Sequence, residues 1–147
     1  MDWLEDPVEL DAPTAAAIAL AMRAVAQADG MVHPREMALV AEFERGLPSG
    51  IEPAAQLSPA AARTLLRSVI MVALADGNIS EAEHVAIAAL SAEHGLEDDA
   101  LDELVLSVKR DFLDHFAGRT QFRGSVIRVA EELGLDDDTL AAFRGVN

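Results

Sequence analysis

A nine-residue pattern, Ala-Asp-Gly-x-[Val/Ile]-x-x-x-Glu, occurs twice in this chain. The first copy is Ala28-Asp29-Gly30-Met31-Val32-His33-Pro34-Arg35-Glu36, and the second is Ala75-Asp76-Gly77-Asn78-Ile79-Ser80-Glu81-Ala82-Glu83. The flanks keep the same register: Val25-Ala26 aligns with Val72-Ala73, and Ala41 with Ala88. A repeat of this length, with an apolar periodic stretch on each side, describes a duplicated helix hairpin. It predicts an all-α, single-domain helical bundle of two related hairpins plus C-terminal helices. It also places two carboxylates at each corner, where a packed helical protein has few uses for charge.

The stripes around each corner fix where those carboxylates point. Ile18, Met22 and Val25 follow the i, i+4, i+7 spacing of one helix face, and Asp29 continues it. Leu65, Val69 and Val72 lead to Asp76 in the same way, while Glu36 precedes Val40 and Phe43 as Glu83 precedes Ile87 and Leu90. All four acids therefore lie on core-facing stripes at the turn ends of their helices. If the hairpins pack on each other, Asp29, Glu36, Asp76 and Glu83 gather at one end of the bundle.

The chain divides by its local signals. Residues 1–12 form an extended N-terminal arm, with Trp3, Leu4, Val8 and Leu10 available to dock on the body. The first hairpin spans 13–46. Its first helix opens at Pro13, runs to about Ala28 and is stopped by Gly30 in a left-handed cap; its second opens at His33-Pro34 and ends at Gly46. Pro48, Gly50 and Pro53 mark residues 47–57 as a linker. The second hairpin spans 58–95. Ser58-Pro59 places a capping Ser before Pro at N1, and this helix runs to about Ala75 and ends at Gly77. Ser80 and Glu83 form a capping box for the next helix, which stops at Gly95. Residues 96–147 hold C-terminal helices over about 98–116, 120–133 and 137–144. The turn at Gly95-Leu96-Glu97-Asp98-Asp99-Ala100-Leu101 is echoed at Gly134-Leu135-Asp136-Asp137-Asp138-Thr139-Leu140. No stretch alternates at period two, so no sheet is expected.

Bulk composition removes several function classes. A net charge of −15 opposes nucleic acid and acidic lipid, both of which need clustered Lys and Arg to displace counterions. Cysteine is absent, which removes disulfides, thiolate metal sites and a Cys nucleophile. The acidic start lacks the basic segment of a signal peptide, and the best apolar run, Val69 to Ala75, is far shorter than the roughly 20 residues of a membrane span. These features predict a soluble cytoplasmic protein with no direct membrane insertion.

The four acids have a bland partner and a sharp one. As N3 residues, Glu36 and Glu83 can accept from the backbone N–H groups of His33 and Ser80, and Asp29 and Asp76 can accept from loop N–H groups in Asx-turns. Against that, an Asp at a helix C-terminus faces the negative end of the macrodipole, at a cost of about 0.3–1 kcal/mol. The sharp partner is a divalent cation, and hard carboxylate oxygens suit Ca²⁺, Mg²⁺ or Mn²⁺. The spacing is not that of an EF-hand. Positions 1 and 3 of such a loop are Val25 and Gln27 in one copy and Val72 and Leu74 in the other.

The double motif resembles the TerB-like family, named for tellurite resistance, whose relatives include the N-terminal domain of DnaJ-like membrane co-chaperones. The second copy carries the resemblance best, from Val72 through Glu83 and on to Glu93-His94-Gly95-Leu96. The first departs at His33-Pro34, where a Ser/Thr-acid pair is usual. The resemblance covers roughly residues 15–140. It implies an all-helical domain of two similar halves, an acidic cluster at Asp29, Glu36, Asp76 and Glu83 as a metal site, and a stress-response or tellurite-resistance role through a protein partner, including a membrane protein. It implies no catalytic activity.

Other constellations are weaker. Glu81-x-x-His84 matches half of a di-iron bundle site, but Phe112 stands three residues before His115 and Gly30 before His33. Ser80, Glu83 and His84 lack a nucleophile elbow, and HExxH, GxxxxGK[ST] and GxGxxG are all missing. The acidic runs at 97–99 and 136–138 are helix caps facing water. Lys109, Arg110, Arg119, Arg123 and Arg128 neutralise neighbouring acidic helices or form a patch for an acidic partner. Three functions follow in order: a non-enzymatic cation-binding stress module, a protein-interaction adaptor whose acids are only caps, and a metal-dependent hydrolase.

Overall fold

The computed structural model describes residues 11–28, 30, 33–45, 47, 50–75, 79–116 and 122–133. Within them lie six α-helices and no strand: α1 (Ala12–Ala26), α2 (Pro34–Glu44), α3 (Pro59–Leu74), α4 (Glu81–Glu93), α5 (Asp98–Phe116) and α6 (Arg123–Glu132). Residues 1–10, which hold Trp3, and the expected helix at 137–144 lie outside the described residues.

Helix starts follow capping chemistry. Ser58 Oγ accepts from the Ala61 N–H at 3.1 Å, with Pro59 at N1 of α3. The Ser80 capping box is complete: Glu83 N–H donates to Ser80 Oγ at 3.1 Å, and Ser80 N–H donates back to Glu83 Oε1 at 2.9 Å. At the other end of α4, Gly95 takes φ +80°. Leu96 N–H reaches Ser91 C=O at 2.8 Å and Gly95 N–H reaches Ala92 C=O at 3.1 Å, a Schellman closure that only a residue tolerant of positive φ makes cheaply.

Two details differ from expectation at α1. The helix begins one residue before Pro13, capped by Asp11, whose Oδ1 accepts from Thr14 N–H at 2.8 Å. It ends at Ala26 rather than near Ala28, because the chain leaves helical geometry at Gln27 and closes a turn in which Gly30 N–H bonds Gln27 C=O at 2.9 Å. Gly30 is left-handed as the sequence predicts, with φ +78°, but it terminates that turn rather than the helix itself.

The larger difference concerns α3. The sequence predicts one inward stripe of Leu65, Val69 and Val72, yet every residue from Thr64 to Ala75 is buried. The helix packs against α1, α2, α4 and α5. A helix that is apolar all round belongs inside the protein, and the run from Val69 to Ala75 reports a central position. Its polar members are satisfied locally: Thr64 Oγ1 donates to Ala60 C=O at 3.1 Å and Ser68 Oγ to Thr64 C=O at 2.7 Å.

The remaining elements pack around this axis. Ile18, Met22 and Val25 of α1 are fully buried, as are Leu39 and Val40 of α2. Arg23 and Glu44 join α1 to α2 through a two-pronged contact of 2.6 and 3.3 Å. Both side chains are partly exposed, at 41% and 33%, so the pair orients the hairpin more than it stabilises it. The linker is pinned where Ala54 N–H donates to Pro13 C=O at 2.9 Å. α6 attaches to α5 through Phe112, Phe116 and Phe122, whose ring centroids lie 4.8 to 6.4 Å apart. It is also tied to the end of α3, where Ser125 Oγ donates to Ala75 C=O at 2.5 Å.

Two outcomes are expected. Phe116→Ala empties the centre of the aromatic trio, since its ring lies 4.8 Å from each of the other two, and urea unfolding should show a loss of about 3–5 kcal/mol. Asp11 gives a pH signature. The Thr14 side chain, and then its backbone N–H, hold the Asp11 carboxyl below the ordinary carboxylate value. Its capping contribution is therefore present above the unfolded-state pKa and disappears as pH falls through the lower folded value. Asp11→Asn keeps a capping oxygen without the titration, so an NMR-monitored acid titration should show α1 fraying with pH in the native chain and losing that dependence in the variant.

Candidate functional site

The two glutamates of the repeat occupy the same place in their helices. Glu36 is the third residue of α2 and Glu83 the third of α4, and each is only 1% exposed. Their inward placement follows from the stripe: Val40 is fully buried one turn after Glu36, and Ile87 is 1% exposed one turn after Glu83. Asp29 and Asp76 lie outside the described residues. So do Met31 and Val32 of the first corner and Gly77 and Asn78 of the second. Among the described residues no three His, Asp or Glu side chains gather at one point.

Glu83 shows what such a carboxylate needs. Oε1 is occupied by the Ser80 N–H, while Oε2 is buried and has no hydrogen-bond partner among the described residues. A carboxylate oxygen held away from water without a donor costs roughly 1–3 kcal/mol or more. The capping box accounts for one oxygen of the group and not for the other. The first corner is built differently, because His33 provides no side-chain cap to α2. This is the departure visible in the sequence at His33-Pro34.

A second polar feature escaped the sequence reading. Arg67 of α3 and Asp111 of α5 form an ion pair whose side chains are 8% and 7% exposed. Arg67 Nη1 also donates to Ser107 Oγ at 3.2 Å. The available signal was an Arg set two residues before the longest apolar run, and an Asp on the same face of its helix as Leu104 and Val108. Each partner alone reads as an ordinary charged residue; only the crossing of α3 and α5 joins them.

Two open clefts flank the bundle. One of about 450 Å³ lies between α1, the linker and α4, and is lined by Ala17, Ala21, Leu57, Leu90, Glu93 and His94. The other, about 480 Å³, lies between α3 and α5, with Arg63, Leu96, Glu103, Leu104 and Ser107 in its walls. Neither contains Glu36 or Glu83. Glu81 and His84 are both exposed on α4, and Phe112 occupies the core three positions before His115. Of the basic residues near the C-terminus, Arg110 and Arg128 are exposed and Lys109 is half-buried, while Arg119 and the Arg123 side chain lie outside the described residues.

These features define an all-α protein with a helix at its centre, a buried glutamate at the start of α2 and of α4, and a buried ion pair between α3 and α5. No helix among the described residues is long and apolar enough to cross a membrane. The chain matches no protein-family model, no curated protein and no solved structure. The TerB-like resemblance therefore rests on the repeated motif alone.

The ion pair yields a stability prediction. Removing one partner strands the other charge in the core, so Arg67→Met or Asp111→Leu should each cost about 3–5 kcal/mol in urea unfolding. Replacing both with apolar groups, Arg67→Met with Asp111→Leu, should recover most of that loss. A double variant as unstable as the sum of the singles would show that the two charges act independently.

Proposed function

We propose that this protein is a non-enzymatic helical module that binds a divalent cation through the carboxylates of its repeated corners, with Asp29, Glu36, Asp76 and Glu83 as the ligand set. The observation that carries this reading is Glu83 Oε2, a hard oxygen buried without a donor among the described residues, beside an Oε1 already used by the helix cap. Glu36 stands at the equivalent position of α2 and is equally buried. Their chemistry favours Ca²⁺, Mg²⁺ or Mn²⁺ over softer ions. The surplus of negative charge draws cations toward the protein from a distance. The TerB-like resemblance adds a setting, stress response or tellurite resistance in the cytoplasm, and a protein partner that includes the cytoplasmic part of a membrane protein. The cation either braces the corners or couples their shape to that partner.

A second reading has its own support. The complete Ser80–Glu83 capping box gives Glu83 a structural role that needs no ion. In that case the module is an adaptor, and surface apolar groups such as Leu20, Val85 and Leu106, exposed by 57%, 62% and 46%, belong to its contact surfaces.

Thermal unfolding separates the two. In the cation reading, Ca²⁺, Mg²⁺ or Mn²⁺ raises the midpoint over chelator, and an ion present at 100 times its Kd stabilises the fold by about 2.7 kcal/mol. Glu83→Gln is the informative variant, because Gln also serves at N3 of a capping box. It should leave the metal-free midpoint nearly unchanged and abolish the gain from the ion, as should Asp29→Asn with Asp76→Asn. A midpoint identical in chelator and in every ion leaves the adaptor reading.

A further inference from the structure

The seam between α3 and α5 carries a register of polar pairs. Arg67 meets Ser107 and Asp111. One turn earlier on both helices stand Arg63 and Glu103. Residues four apart lie on the same helix face, so the packing that seats Arg67 on Ser107 also brings Arg63 and Glu103 to the two sides of the 480 Å³ cleft. Both are exposed, and among the described residues they form no ion pair with each other or with another group. Between them the wall is apolar, made of Pro59, Leu96, Ala100 and Leu104.

Ser107 adds a directed donor. Its Oγ accepts from the Arg67 guanidinium, which leaves the hydroxyl proton free to donate, and the hydroxyl makes no other hydrogen bond among the described residues. A cation donating to the oxygen strengthens the O–H as a donor. Arg67 is itself only 7% exposed and held by Asp111, so the hydroxyl is fixed from behind by a buried group. The cleft therefore presents one cation, one anion, one oriented O–H and a hydrocarbon wall within a space of ligand size.

We infer that this cleft binds a free α-amino acid with an aliphatic side chain. The carboxylate sits against Arg63 and the Ser107 hydroxyl, the ammonium against Glu103, and the side chain on Leu96 and Leu104. Other ligand classes leave a group unmatched. A phosphate dianion meets Glu103 and the strong negative charge of the whole protein; a simple amine leaves Arg63 without a counter-charge; an uncharged hydrocarbon desolvates both ions without replacing their water. This site is separate from the corner carboxylates and stands or falls independently of cation binding there.

Isothermal titration calorimetry of the full chain tests it, with L-leucine, N-acetyl-L-leucine, L-leucinamide and inorganic phosphate as probes. Leucine should give saturable binding, and loss of either ligand charge should weaken it about tenfold or more. Arg63→Gln and Glu103→Gln should each produce a similar loss, and Ser107→Ala a smaller one. Arg63 and Glu103 are exposed, so their variants should melt like the native chain, which separates loss of binding from loss of fold. Amide shift changes on leucine addition should centre on Leu96, Ala100 and Leu104. No saturable heat with leucine overturns the assignment. Equal affinity for leucine and its two blocked forms, phosphate binding as strong as leucine, or affinity unchanged in both charge variants does the same.

Discussion

Burial of α3 on every side is the constraint from which the rest of the architecture follows. A helix with buried residues from Thr64 to Ala75 leaves no face for water, so other elements must cover its whole circumference. α1, α2, α4 and α5 do so. Each fully buried Leu, Ile or Met contributes about 1.5–3 kcal/mol relative to exposure, which offsets the entropy of holding the surrounding helices in place. The polar residues on that axis show the same rule from the other side. Thr64 and Ser68 turn their hydroxyls onto carbonyls of their own helix, and Arg67 meets a carboxylate brought by α5. None of them is tolerated in the core without such an answer.

The same rule gives the repeated glutamates their significance. Glu83 is held as deeply as the apolar residues around it, but the helix cap satisfies only one of its oxygens. A structural cap at a helix N-terminus ordinarily sits where solvent can complete its hydrogen bonding. Burial, with one oxygen lacking a donor among the described residues, is what separates this carboxylate from the exposed acids Asp98 and Asp99 at the start of α5, which share its favourable position near a helix dipole. Function is therefore sought at the acids that the fold encloses.

Legibility in the sequence followed the range of the physics. Ser58-Pro59, Ser80 with Glu83, and Gly95 act within a few residues of themselves, and the starts of α3 and α4 and the end of α4 fall where they indicate. The 98–116 span of α5 was equally visible. Stripe periodicity correctly turned Glu36 and Glu83 inward. Asp11 as the cap of α1 was not legible from Pro13, because Pro is accommodated throughout a helix's first turn and at the second position leaves room for an Asp cap before Ala12. The enclosure of α3 and the Arg67–Asp111 pair depend on which helices meet, which no local pattern states. Of the four acids, two show their burial directly; Asp29 and Asp76 fall outside the described residues, and their part in the site rests on the repeat.

The central position of α3 has a consequence for how the chain is made. During vectorial synthesis α1 and α2 emerge before it and can cover one flank at once, but residues 98–116, which cover another, are translated only later. For that interval a strongly apolar helix remains partly uncovered, the condition under which nascent chains attract chaperones or associate with one another. The order of helices along the polypeptide thus makes the C-terminal half the step that ends this window of vulnerability.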